Sequence, residues 1–365
     1  MNAKAWRFDP LDTWFFREAR PFGAATGGEL SSVFPPPAHT VAGAVRTLIG
    51  AAHGVDWERF ADDSEYADLK RSIGVGDDLG QLHIGGPYPM WKEERLYPAP
   101  LHLLAKTGQY TVLQPGEPVE CDLGRVRLPQ LATALPGAKP LDHTWLDGPN
   151  LRRVLQGQVP EIIYRSSDLY AEESRLGIAR NNEKRTAAEG LLYHTRHLRP
   201  QPELAIGVTV SGIPVELHPA RGVTRFGGEG RAGAVTVDDA HPLPPVSKIG
   251  GSNLLLVLLT HADFDGQWLL PGFTPGEQDG VRVWRGRLCD IDLILHSAVL
   301  GKAVREGGWD LLRRQPRPIR SLIPAGSVYF CSIEGDVRAA VTALHGRQAG
   351  HATALGRGEL AVGFW

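Results

Sequence analysis

The sequence predicts an α+β fold, and three observations support this. Short runs rich in β-branched, aromatic and leucine side chains recur as candidate strands at 203–210 (ELAIGVTV), 253–261 (NLLLVLLTH), 327–333 (SVYFCSI) and 359–365 (ELAVGFW). Between the last two, the stretch 335–345 sets Val337, Val341 and Leu344 on one face of a short helix. The chain therefore closes strand, helix, strand, as a ferredoxin-like unit does. At 365 residues it also exceeds what one ordinary core organises, which implies two packed modules of roughly 150 residues each. The expected modules are 1–200 and 201–365.

The remaining elements follow from local chemistry. Residues 3–8 (AKAWRF) alternate in polarity and read as a first strand. After a Pro/Gly-rich connection, a helix is expected from about Thr40, with Val41, Val45, Leu48 and Ala52 at spacings of three and four. Gly50 and Gly54 weaken its last turn. Residues 80–120 hold short apolar groups (LHIGG, PLHLLAK, QYTVLQ) cut by Gly and Pro, the pattern of strands joined by tight turns. At 175–199 the segments RLGIAR and GLLYHTRHLR flank the polar NNEKRTAAE, which predicts a projecting β-hairpin with a basic tip.

Composition excludes several classes of function. With 42% hydrophobic and 22% charged residues the chain is not a disordered polypeptide. Lys and Arg total 39 against 41 Asp and Glu, a net charge of -2. No global positive field draws the chain to nucleic acid, and any RNA-binding surface must be local. Cys121, Cys289 and Cys331 form no C-x-x-C pair, and no His cluster has zinc-ligand spacing. They read as reduced core residues, and neither metal nor cofactor is expected. Residues 5–12 are mixed rather than apolar, and the longest strong apolar run is Leu254 to Leu259. A cytoplasmic protein without a membrane partner is expected.

Among the motifs, Arg225-Phe226-Gly227-Gly228-Glu229-Gly230-Arg231 is a glycine turn in a basic setting. Missing side chains let backbone amides approach phosphate oxygens, and flanking arginines add bidentate contacts. A solvated hairpin turn has the same composition. The motif is neither a Walker loop nor a convincing dinucleotide fingerprint. The 164–200 segment carries seven Lys or Arg against five acids, interleaved with Tyr164, Tyr170, Tyr193, His194 and His197. Such a surface offers stacking planes and cations to single-stranded RNA, and equally describes a solvated hairpin face. A second basic stretch, 302–320, has six Lys or Arg against Glu306 and Asp310 and includes Gly307-Gly308-Trp309. Pro316 and Pro318 keep its end extended, and partner binding competes with RNA binding as its use. His39, His53, His194 and His197 are the candidates for a nuclease, but no pair has a third residue visibly placed to complete a site.

At Asp12-Thr13-Trp14-Phe15-Phe16-Arg17, Arg20-Pro21-Phe22 and Phe34-Pro35-Pro36-Pro37 the chain resembles the third subunits of type III-B CRISPR Cmr complexes, a family of the RAMP superfamily. The likeness continues through Gly43-Ala44-Val45-Arg46, Tyr97-Pro98-Ala99-Pro100, Glu189-Gly190-Leu191-Leu192-Tyr193, the 225–231 loop, Gly307-Gly308-Trp309-Asp310 and Pro324-Ala325-Gly326-Ser327-Val328-Tyr329. The resemblance implies two ferredoxin-like (RRM-like) domains with a projecting β-hairpin and glycine-rich loops. It further implies a non-catalytic subunit that recognises the 5′ handle of guide RNA and docks the large signalling subunit beside the other Cmr subunits in antiviral defence, meeting target RNA only indirectly.

Carried onto this chain, the resemblance implies RNA contacts from Phe16, Arg17, Arg20 and Arg46, and from Arg180, Lys184 and Arg185 at the hairpin tip. It adds Arg225, Gly227, Gly228, Gly230 and Arg231 in the glycine turn, and Gly356 and Arg357 near the end. Leu355-Gly356-Arg357-Gly358 is a brief version of the glycine-rich loop usual in RAMP proteins. Two other readings stand beside this one: a metal-independent endoribonuclease that processes CRISPR repeat RNA, and the related type III-D subunit.

Overall fold

The structure is a computed structural model that describes residues 3–19, 29–181, 186–240, 242–246 and 248–365, with backbone alone at 29, 178–181 and 186–192. In chain order the principal elements of the first half are β1 (Lys4–Pro10), β2 (Glu29–Ser31), α1 (Ala38–Ala52), α2 (Ala67–Ile73), β3 (His83–Trp91), β4 (Gln109–Cys121), β5 (Gly124–Leu131) and α3 (Gly148–Leu155). There follow β6 (Tyr170–Asn181), β7 (Thr186–Pro200), β8 (Leu204–Ser211), β9 (Arg221–Arg225), β10 (Ala232–Asp239), β11 (Asn253–Leu258), β12 (Thr274–Gln278), β13 (Val281–Leu288), β14 (Ile291–Val299), β15 (Val328–Ser332), α4 (Val337–Leu344) and β16 (Leu360–Phe364). Strands outnumber helices, as an α+β chain rich in short apolar runs requires.

Two compact units are each assembled from three stretches of sequence. The first comprises Met1–Glu93, Ser166–Ala240 and Arg305–Arg320; the second comprises Glu94–Arg165, His241–Val304 and Ser321–Trp365. The cut expected after residue 200 falls inside the first unit, and residues 94–165 of the expected first module belong to the second. Strand pairing is the reason: β8 hydrogen-bonds to β1 with Trp6 opposite Val208. Pairing between distant strands is invisible to a reading of local composition.

In the first unit the antiparallel sheet runs β9-β10-β1-β8-β3. The alternation expected at residues 3–8 is real, because Trp6 and Phe8 are wholly buried while Arg7 and Asp9, on the opposite face, stay partly exposed and pair with each other at 2.9 Å. Helix α1 packs against β3 and β9 and buries Val41, Val45, Leu48 and Ile49. It starts at Ala38, directly after the prolines that cannot sit inside a helix, and ends before Gly54, whose φ is +64°. The hairpin β6–β7 pairs from Tyr170 opposite Pro200 to Asn181 opposite Thr186, and β2 joins β7 in parallel.

In the second unit the sheet runs β12-β13-β14-β15-β11-β16. Strand β11 reads as an unbroken apolar run because both of its faces are covered. Leu254, Leu256 and Leu258 share one core with Ala340, Val341 and Leu344 of α4. Leu255, Val257 and Leu259 share the other with Leu151, Val154 and Leu155 of α3. Both helices carry an aspartate cap: Asp147 accepts from Asn150 N at 2.9 Å, and Asp336 accepts from Arg338 N at 2.8 Å. Helix α4 lies where the sequence places it, whereas α3, with its Asp147 cap and Leu151, Val154 and Leu155 at spacings of three and four, is an element the expectations above leave out. Among the described residues no helix is long and apolar enough to cross a membrane.

Truncation of either face of β11 therefore opens a cavity. Leu255→Ala and Leu256→Ala should each cost about 2–5 kcal/mol, measured by urea unfolding. Near-neutral behaviour of one of them would show that its face is not packed.

Candidate nucleic-acid interface

The segment 12–17 has little regular structure, yet it is fixed from two sides within the first unit. On one side Trp14 exchanges both backbone hydrogen bonds with Leu198 of β7, each 2.8 Å. On the other, Gly228 N donates to Phe15 O at 2.8 Å. Beneath it lies an aromatic cluster: Phe226 stacks on Phe8 at 4.6 Å between centroids and meets Phe16 edge-on at 5.2 Å, with Trp14 5.8 Å from Phe16. Such pairs add to the large apolar area these rings bury.

Over this floor lies a charge cluster. Asp12 accepts from Arg231 at 2.6 Å, Arg175 at 3.2 Å and Arg199 at 3.3 Å. Glu173 pairs with Arg175 at 2.7 Å and also with Arg199. Period-two geometry explains the grouping. Glu173 and Arg175 lie two apart on β6, His197 and Arg199 two apart on β7, and Glu173 stands directly opposite His197. Hydrogen bonds from these arginines hold the Asp12 and Glu173 carboxyls below their ordinary values. Three guanidinium groups against two carboxylates leave the cluster positive.

His197 sits at the edge of this cluster as a buried side chain. Its Nδ1 lies 3.1 Å from Thr13 Oγ1, its ring stacks on Phe15 at 4.9 Å, and burial followed by Arg175 lowers its pKa. His53 Nδ1 lies 2.8 Å from the Ile49 carbonyl oxygen. These two nuclease candidates thus have separate local partners. Among the described residues no group of three His, Cys, Asp or Glu side chains is placed to hold a metal ion.

The glycine turn closes between Phe226 N and Arg231 O at 2.8 Å, with Arg231 N donating to Gly228 O at 3.1 Å. Gly227 has φ +100°, and a β-carbon there would stand 2.7 Å from Phe15 O; one on Gly228 would stand 3.0 Å from the Phe15 ring. Gly227 is thus required by the 12–17 segment of the same chain, whereas a side chain at Gly228 would press the Phe15 ring aside by a few tenths of an ångström. Gly230, at φ +68°, faces open space. Arg225 is exposed and among the described residues makes no ion pair, whereas Arg231 is part of the Asp12 cluster.

Other residues named from the resemblance are placed differently. Phe16 is buried in the aromatic floor, so its ring is not presented to a ligand. Arg17 is half-buried beside it, and burial lowers its guanidinium from the ordinary value. Arg46 donates to the carbonyls of Ile73 at 2.6 Å, Gly76 at 2.7 Å and Asp78, and burial pushes it down to about 10. It clamps the loop after α2, where its guanidinium donors are taken up by backbone carbonyls.

In the second unit, Arg357 and Asp263 form a buried ion pair at 3.2 Å, and Gly356 O accepts from Thr260 Oγ1 at 2.7 Å. The expected terminal loop is therefore core, since an ion pair this deep serves internal packing. Arg20, Lys184 and Arg185 lie outside the described residues, and Arg180 is described as backbone only, opposite Ala187. Asp12, Glu173, Arg175 and Arg199 are site residues that sequence reasoning misses. For Arg175 and Arg199 the available signal is the two-residue repetition along the hairpin (Glu173 and Arg175, His197 and Arg199), whereas nothing local marks Asp12 as their partner.

A family model described as CRISPR-associated protein (Cas_Cmr3) matches residues 6–365. Curated proteins yield no match. Many chains from solved structures are similar, among them two from Cmr complexes. One is from the cryo-EM structure of the Type III-B Cmr-beta bound to cognate target RNA and AMPPnP, at TM-score 0.51 and 14% identity, with 89% of this chain and 86% of that one covered. The other is from the Type III-B Cmr-beta bound to cognate target RNA, at TM-score 0.51 and 15% identity, with 98% and 96% covered. At these identities the likeness shows the fold alone.

Gly227→Ala should destabilise the chain well beyond the ~1–2 kcal/mol of a left-handed conformation, while Gly230→Ala should cost only about that much. Equal losses in urea unfolding would contradict the contact with Phe15. The cluster also has a pH signature. Lowered carboxyls contribute stability above the ordinary carboxylate range and lose it as pH falls through the lowered values. The stability gap between wild type and Asp12→Asn should accordingly shrink between about pH 5 and pH 2, and a pH-independent gap would mean that Asp12 is not ion-paired in solution.

Proposed function

Since the chain belongs to the Cas_Cmr3 family of CRISPR-associated proteins, we propose that it serves a type III-B effector complex as a non-catalytic subunit that grips the 5′ handle of the guide RNA. The observation that carries this reading is the arginine cluster around Asp12. Arg175, Arg199 and Arg231 are held in place by two carboxylates, yet a guanidinium has five N–H donors and keeps some for phosphate oxygens. Holding arginines before RNA arrives reduces the ordering cost of binding. It also supplies a local positive site on a chain whose net charge is -2.

Further contacts belong to the same reading. Exposed Arg225 lies at the glycine turn, and the proposal keeps Arg17, Arg20, Arg180, Lys184 and Arg185 as RNA contacts on the strength of the family resemblance. Docking to the large signalling subunit and to other Cmr subunits, action in the cytoplasm, and indirect contact with target RNA complete the proposal. The strand orders β10-β1-β8-β3 and β16-β11-β15-β14 support reading both sheets as ferredoxin-like. In that reading the first retains the helix after its opening strand (α1), and the second retains the helix before its closing strand (α4).

Arg175→Gln with Arg199→Gln should weaken binding of labelled guide RNA at least tenfold near 0.1 M salt. The salt slope should fall by about 0.7 for each single-strand phosphate that the variant no longer neutralises. Unchanged affinity and slope would remove this cluster from the RNA site. In the same incubations without metal the repeat RNA should stay intact, because discrete fragments would favour the endoribonuclease reading.

A further inference from the structure

Residues 305–320 belong to the first unit, and the RNA reading above makes no use of them. Trp309 pairs with Pro316 and Asp310 with Gln315, forming a minimal hairpin whose turn is Leu311-Leu312-Arg313-Arg314. Leu311 is 83% exposed and Leu312 57%. Two adjacent leucines at such exposure, with Trp309 at 46% and Ile319 also exposed, form an apolar patch that folding alone does not explain.

The turn is nonetheless held firmly. Asp310 is buried and accepts from the backbone N–H groups of Leu312 and Arg313, both at 3.0 Å, and from the Arg313 guanidinium at 3.2 Å. Asp77 pairs with Arg313 at 3.1 Å and with Arg317, while Arg317 N donates to Gly308 O at 2.9 Å. The loop bearing Asp77 is itself held by Arg46 through three carbonyls. A turn fixed in this way presents its leucines at little further entropic cost.

Charge indicates the kind of partner. The stretch carries five arginines against Glu306 and Asp310, and both acids are buried. Asp77 answers Arg313 and Arg317, while Arg305 and Arg314 are exposed and make no ion pair among the described residues. Aliphatic leucines give bases no stacking plane, so the centre of the patch suits a protein better than RNA. We infer that the turn 309–316 is a docking knob that seats Leu311 and Leu312 in an apolar pocket of a protein partner whose rim is acidic and meets Arg305 and Arg314. The inference rests on the reading of this chain as a subunit of an assembly.

The test uses the complex produced from its co-expressed genes. A benzophenone amino acid at position 311 should form, on irradiation, an adduct that resists ribonuclease and is removed by protease. In parallel, Leu311→Asp with Leu312→Asp should lower retention of the cross-linked protein at least tenfold, with guide RNA retained at the wild-type level. The far-UV circular dichroism of the isolated variant should be unchanged; if it is not, Leu311→Ser with Leu312→Ser takes its place. An adduct to RNA, no adduct, or undiminished retention overturns the knob while leaving the RNA reading intact. Failure of the unmodified chain to retain any other subunit or guide RNA overturns both.

Discussion

The first unit depends on the seat of Phe226. Its ring stacks on Phe8 and meets Phe16 edge-on, so the turn that follows is pinned to the central sheet. Gly227 then passes so close to the Phe15 carbonyl that a side chain is excluded, and Gly228 N closes on the same oxygen. A stretch with little regular structure of its own thereby acquires a fixed path. Asp12, at its start, is carried to the arginines of the hairpin and of the glycine turn.

Charge is arranged with similar economy. A chain with slightly more acid than base attracts RNA only where cations are concentrated and held still. The carboxylates of Asp12 and Glu173 do this by orienting guanidinium groups without exhausting their donors. Exposed ion pairs of this kind contribute little to stability singly; their value here is geometric. Arg46 and Arg357 show the other use of the same side chain, one clamping backbone carbonyls and one pairing with a buried aspartate.

Arg46 also shows how a residue outside a turn helps to shape it. By holding the carbonyls of 73–78 it sets the position of Asp77, which in turn anchors Arg313 and Arg317 beside the leucine turn. Backbone carbonyls, one carboxylate and three guanidinium groups thus form one connected support, and a buried Asp310 completes it from within the hairpin.

Local chemistry alone determined much of this protein. The prolines before Ala38, the apolar spacing of Val41, Val45 and Leu48, the unbroken run in β11 and the Val337, Val341 and Leu344 face mark elements that the fold contains, because periodicity and turn residues act over a few positions. The family, too, was legible in motifs ordered along the chain. Tertiary structure alone decided which glycines and arginines face outward. Gly227 is required by Phe15, and Arg357 by Asp263, residues more than ninety positions away in each case. Asp12 and Arg231 meet only because β1 and β10 pair and bring the segments that follow and precede them together. Sheet pairing joins distant strands, and the charged site is assembled from the contacts it creates.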